Sequence, residues 1–150
     1  MPRDRPATEA TVDMAGLDTQ IGFALRLAQV AVFNDLLGAL KESDLRLTDF
    51  SVLLLIGANP GISQQAIGEA LRIQRPNLVT IVDALQQKSL VRRDTSPQDR
   101  RSYALSLTGA GTKLLARAKT AHQRHARKVN AAVGSQHDVV LAALKRIAEI

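Results

Sequence analysis

The chain has no cysteine among its 150 residues. That absence excludes a disulfide framework, a thiolate metal site and a thiol redox switch, and it fits a cytoplasmic protein. No apolar run approaches the roughly 18 residues of a membrane span. The opening stretch, MPRDRPATEATVDMAG, lacks the apolar segment of a secretory signal. It is polar, proline-containing and patternless, and reads as a disordered tail over residues 1–16. No internal repeat or low-complexity tract is present. No Gly-rich phosphate loop follows a strand, and no Ser/His/Asp arrangement is evident. GAGTK, from Gly109 to Lys113, lacks the preceding glycine at P-loop spacing and reads as a helix's first turn. The chain is therefore expected to be neither an enzyme nor a cofactor carrier. A metal is not expected either: His122 and His125 supply two ligands where a site needs a third or fourth.

What is present points to one basic domain. The length suits a single core, and 45% apolar residues with mean hydropathy −0.04 is ordinary for a soluble globule. The net charge of +6 and pI near 10.3 favour anionic partners. That charge is concentrated: seven positive and three negative side chains lie between Arg72 and Arg101, a net of +4.

Apolar spacing places a long helix from Leu17 to Leu40, with Ile21, Ala24, Leu25, Ala28, Val32 and Leu36 in one stripe. Phe23, Leu27, Val30, Phe33 and Leu37 fall outside that stripe, so the helix is apolar nearly all round. A domain of this size can hardly cover it alone, which implies a partner subunit. A second helix is expected after Thr48 as N-cap, ending at Asn59-Pro60-Gly61. Ser63 then caps a short helix, QQAIGEAL, and a brief turn leads into RPNLVTIVDALQQKSL, with Pro76 in its first turn. Two short helices joined by a tight turn make a helix-turn-helix, with Ala66 small where they pack. VRRDT and SYALSL flank a Ser-Pro turn as two strands of a hairpin. Thr108 caps a helix running to about Ala132. SQHD, from Ser135 to Asp138, is a capping-box variant opening a last helix, with Val140, Leu141, Leu144 and Ile147 on one face.

This order, and above all IVDALQQKSLVRRDTSPQDRRSYALSLTGAG, resembles the multiple antibiotic resistance regulator (MarR) family of bacterial transcription factors. Val82-Asp83, Leu85, Leu90-Val91, the Asp99-x-Arg101 pair and Leu105-Ser106-Leu107-Thr108 carry the likeness, which covers about Leu17 to Ile150. It implies a mainly α fold with a small two- or three-stranded β wing: a winged helix-turn-helix flanked by N- and C-terminal dimerisation helices. The winged part would occupy about 45–108 and the dimerisation helices about 17–41 and 109–150, all within one domain over 17–150. The resemblance further implies a repressor that releases DNA when a small aromatic anion or similar effector binds. Two positions depart from the family pattern. Ser89 stands where glycine is usual at the end of the recognition helix, and Thr80 where a basic residue is common.

Chemistry selects the expected contacts with double-stranded DNA. Gln74, Arg75, Asn77 and Thr80 fall in the first two turns of the recognition helix. There arginine reads guanine, and asparagine or glutamine reads adenine, through paired hydrogen bonds. Ser63 and Gln64 at a helix N-terminus suit a phosphate. Asp99 is placed to order the guanidinium of Arg101, which takes from the resemblance the role of entering the minor groove. Arg93 and Arg100 are expected at phosphates or as charges at the strand base. A dimer implies a near-palindromic operator. The alternative is a dimeric protein-interaction module without DNA binding, against which the Asp99/Arg101 pair and the basic recognition helix argue.

Three residues are candidates for an anionic effector. Arg26 sits among Val30, Phe33 and Leu37, where it either snorkels, pairs with Asp35 or Glu42 across the dimer, or anchors an effector carboxylate. His125 lies on the apolar stripe of the fifth helix with His122 at its edge. Histidines so placed are more often hydrogen-bonded groups at a helix interface than ligands. No acid occurs between Arg101 and His137. The basic face of that helix is either solvated or attracts a multiply anionic ligand, such as a nucleotide-like or acyl-coenzyme A molecule.

Overall fold

A computed structural model describes residues 12–95 and 103–150. The tail reading for residues 1–11 and the wing-tip residues Asp99, Arg100 and Arg101 lie outside the described residues. The chain divides into two compact parts, Met1–Phe33 and Asn34–Ile150.

The first part holds a short 3-10 turn, Leu17–Thr19, and the opening turns of helix α1 (Ile21–Leu40). The long helix therefore starts four residues later than expected, because Gln20 is extended and interrupts the helical run. Leu27, Val30 and Phe33 on this helix stay 42–49% exposed among the described residues. By length and average composition alone the helix from Ile21 to Ser43 is long and apolar enough to cross a membrane, with mean hydropathy 1.4. No contiguous apolar run in it reaches that length. Arg26, Gln29, Asn34 and Asp35 break the contiguous run, but an 18-residue average passes over them.

The second part contains the core. Leu36 and Leu40 at the end of α1 join Phe50, Val52, Leu53 and Ile56 of α2 (Leu47–Ala58), Ile67 of α3 (Gln64–Leu71) and Leu78, Val82 and Leu85 of α4 (Arg75–Gln87). Leu45, Leu90, Val91, Leu105 of β3 (Tyr103–Leu107) and Leu115 and Ala118 of α5 (Gly109–Val133) complete it. The strands form one antiparallel sheet in the order β1 (Ile62–Ser63), β3, β2 (Val91–Thr95). Gly61 has φ 86° and its N–H donates to the Leu105 carbonyl at 2.8 Å, so the turn after Asn59-Pro60 lays β1 beside β3.

Three local expectations change. Helix α2 begins at Leu47, not after Thr48; the Asp49 carboxylate accepts the Arg46 N–H at 3.2 Å and closes the first turn. In the helix-turn-helix the close approach falls at Gly68, where a Cβ would meet the Ile73 carbonyl at 3.2 Å, while Ala66 is exposed. Ser135 caps nothing: a 3-10 turn, Gly134–Gln136, leads into α6 (His137–Ile147), whose N-cap is Gln136 without a side-chain bond.

Other capping readings match the structure. The Ser63 hydroxyl accepts the Ala66 N–H at 3.1 Å. The Thr108 hydroxyl accepts from Gly111 N–H at 3.0 Å and donates to the Ser89 carbonyl at 2.6 Å, joining the end of α4 to the start of α5. Ser89 is left-handed, with φ 57°, as the turn from α4 into β2 requires. A left-handed L-residue costs roughly 1–2 kcal/mol, whereas a glycine's extra freedom in the unfolded chain costs roughly 0.5–1 kcal/mol. Ser89→Gly is therefore expected to stabilise the protein by up to about 1 kcal/mol. The urea midpoint should rise without a change in slope; an unchanged or lower midpoint would show that the serine carries no strain there.

Candidate nucleic-acid interface

Helix α3, the left-handed turn at Arg72 and helix α4 form the helix-turn-helix, and β2 and β3 rise directly after it. Gln74 caps α4, Arg75 opens it and Pro76 follows in its first turn. Their neighbours Leu78, Val82 and Leu85 are buried, which aims the opposite side of α4 outward. Gln74, Arg75, Asn77 and Thr80 are all exposed on its first two turns. None of Gln74, Arg75 and Asn77 forms a side-chain bond to another described residue, while the Thr80 hydroxyl donates back to the Pro76 carbonyl at 3.2 Å. Ser63 and Gln64 are half-buried at the N-terminus of α3. The Ser63 hydroxyl is engaged in capping, which leaves its hydrogen free to donate.

Arg93 takes a place at the base of the wing. Its Nη2 lies 2.6 Å from Asp83 Oδ1 of α4, and its guanidinium sits 5.8 Å from the centroid of the Tyr103 ring. The side chain is only 19% exposed. A guanidinium so held is turned toward α4, an arrangement that favours the strand-base charge of the two roles expected for Arg93. Asp83 was not singled out by sequence. Its spacing to Arg93 crosses two elements, and no local pattern reports it. The same is true of Arg72, whose guanidinium donates to the Ala148 carbonyl at 2.9 Å and pairs with Glu149 at 2.8 Å, tying the helix-turn-helix turn to the end of the chain.

A cleft of about 540 Å³ lies between the end of α1 and the second half of α5. Gly38, Ala39 and Ala121 make its floor small, and Arg124, His125 and Lys128 line it with Asp35 and Asn34. His125 is buried, its Nδ1 2.6 Å from Asp35 Oδ2, while Lys128 Nζ donates to Asp35 Oδ1 at 2.6 Å. A carboxylate only accepts, so the Nδ1 proton faces Asp35. The Lys128 hydrogen bond, reinforced by His125, holds the Asp35 carboxyl below the usual carboxylate range. Within one chain Asp35 is thus engaged by two side chains of α5. His122 packs its ring 5.1 Å from that of Phe50 and 6.2 Å from that of His125. Burial, then the neighbouring His125, holds its imidazole below the ordinary value. Arg26 belongs to the N-terminal part and is exposed.

A helix-turn-helix whose second helix presents Gln74, Arg75 and Asn77, unpaired among the described residues, with a hairpin beside it defines a winged-helix regulator. The comparisons with known proteins say which kind. The MarR family model matches residues 45–103. A transcriptional regulatory protein assigned to the hcr operon of Thauera aromatica is 31% identical over 97% of this chain and 90% of its own length. The transcriptional repressor CouR bound to a 23-mer DNA duplex superposes with a TM-score of 0.86 and 41% identity, covering 93% of this chain and 99% of that one. CouR bound to p-coumaroyl-CoA gives a TM-score of 0.80 and 39% identity, over 92% and 98% of the two chains. The chain belongs to the MarR family of transcription regulators.

Proposed function

We propose that the chain is a homodimeric repressor that binds a near-palindromic duplex and releases it when an aromatic acyl-CoA thioester binds. The observation that carries this reading is the exposed Gln74-Arg75-x-Asn77 face at the start of α4, standing beside a wing in a chain 41% identical to a repressor held on DNA. Ser63 and Gln64 would fix the protein on phosphates, and Arg100 and Arg101, ordered by Asp99, would follow the hairpin into the minor groove.

The dimer follows from uncovered apolar surface. Leu27, Val30, Phe33 and Leu37 on α1 are about half exposed, as are Leu141 and Leu144 on α6. The effector class follows from charge. The acid-free run from Arg101 to His137 places Arg124 and Lys128 on the cleft rim, where phosphates of a coenzyme A moiety would meet them. His122 and His125 remain the candidate contacts for the acyl end, and Arg26, in the N-terminal part, remains a separate candidate for an effector carboxylate. Ligand entry would compete with Asp35 for Lys128 and shift the population toward a lobe spacing that no longer matches successive major grooves. The role is one of binding, exercised on DNA in the cytoplasm, with no catalytic step.

The test is a mobility shift on DNA from upstream of the protein's own gene, with and without p-coumaroyl-CoA. Retardation as a dimer, reversed by the thioester but not by free coenzyme A, is the expected result. Failure to retard any duplex would leave the dimeric interaction module as the better reading. Retardation that no acyl-CoA reverses would keep the regulator and remove the effector class.

A further inference from the structure

We propose that Asp83 and Arg93 form a positioning clamp that sets the angle between the recognition helix and the wing, and thereby operator specificity. The inference rests on the DNA-binding reading above and concerns a pair that reading does not use.

Strand alternation places Val91, Arg93 and Thr95 on one face of β2. Val91 is buried in the core, and Thr95 is exposed. Arg93 stands where the buried run of β2 gives way to exposed residues. Among the described residues it makes the one side-chain ion pair between β2 and α4: Nη2 to Asp83 Oδ1 at 2.6 Å, with the guanidinium against the Tyr103 ring. Tyr103 pairs with Thr95 across the two strands. One side chain thus touches the recognition helix and both strands of the wing.

Geometry separates this role from a phosphate contact. With its side chain 19% exposed, Arg93 would have to leave Asp83 to reach DNA. That would strand a carboxylate, itself 46% exposed, on the helix that faces the duplex. While the pair holds, the two charges cancel toward the DNA, and what remains is direction: a planar guanidinium gripped from one side and stacked on the other. The hairpin then reaches the minor groove at one fixed offset from the helix in the major groove.

The two roles predict opposite signs for one substitution. Asp83→Asn removes a negative charge near DNA, so simple electrostatics expects tighter binding. The clamp expects weaker binding to the operator by about tenfold, within the range for contacting pairs, and unchanged binding to a shuffled duplex of the same composition. Full-length wild type, Asp83→Asn, Arg93→Gln, the double variant and the charge swap Asp83→Arg with Arg93→Asp would be titrated on both duplexes at several salt concentrations. The double variant should bind no worse than either single one, and the swap should recover most of the operator preference. The salt slope of Arg93→Gln should equal that of wild type. Urea midpoints measured on the same samples show that each variant is folded.

Tighter binding by Asp83→Asn, or a slope for Arg93→Gln smaller by about 0.9 per protomer, would overturn the clamp and make Arg93 a phosphate contact. A wild type that binds no duplex would overturn the DNA-binding reading and the clamp with it. A wild type that discriminates operator from shuffled DNA while Asp83→Asn does so equally well overturns the clamp alone.

Discussion

Gly111→Ala is expected to destabilise the winged lobe by about 3 kcal/mol, the upper part of the range for overpacking a fixed core. A Cβ on Gly111 would overlap the backbone carbonyl of Leu90. Backbone offers no rotamer by which to escape, and this stretch is pinned on both sides. The Leu90 N–H donates to the Leu85 carbonyl at 3.0 Å, and the Leu90 carbonyl accepts from Thr108 N–H at 3.0 Å. Moving it would open the end of α4 and the base of the wing together. Gly109, two residues earlier in the same helix, is the control, because a Cβ there meets nothing within 4 Å. Gly109→Ala should be neutral or slightly stabilising, as alanine favours helix over glycine by roughly 1 kcal/mol. Urea unfolding followed by circular dichroism compares the two variants. Equal midpoints for both would show that α5 can slide away from Leu90, and that the contact does not hold the wing base.

The same region shows how far sequence reasoning reaches. The caps at Ser63 and Thr108 are local: each depends on a residue and its neighbours within one turn, and each was legible; at Ser89 the departure from glycine was legible, but that the serine would keep the left-handed backbone was not. So was the polar face of α4, because Leu78, Val82 and Leu85 at helical spacing leave the other side outward. Gly68 was missed in favour of Ala66, since which small residue meets the neighbouring helix depends on how the turn at Arg72 rotates α3. The start of α2 was misplaced at Thr48 because a carboxylate three residues beyond Arg46 closes the turn as well as a hydroxyl cap would.

Pairings between distant residues were the hardest to see. Asp35 was named only as one possible partner for Arg26 across the dimer, and its bonds within the chain to His125 and Lys128, some ninety positions on, went unseen. Arg93 was read by its charge alone. The alternation that puts it on the Val91 face was present in the sequence, but its partner Asp83 sits on a different element, and only the packing of β2 on α4 joins them. Charge marks where an anion would go; burial decides which of the charges are still free to meet it.

Asn77→Ala is expected to cost about 1–3 kcal/mol for each half-site in which it removes a base contact, so up to about twice that on a two-fold operator. Asn77 stands in the first turn of α4, is exposed, and forms no side-chain bond to another described residue. Its amide can present a donor and an acceptor together, the pattern that matches an adenine edge in the major groove. Being uncharged, it neutralises no phosphate, so its loss should leave the salt slope and the affinity for shuffled DNA unchanged. That profile differs from Arg101→Ala, which should weaken many sequences together and blunt any preference for A·T-rich flanks. Binding to a randomised operator library at two salt concentrations resolves the two patterns. For Asn77→Ala, preference should relax at one base position in each half-site, placed symmetrically about the operator centre. A uniform loss across all sequences would show instead that Asn77 supports the start of α4 and reads no base.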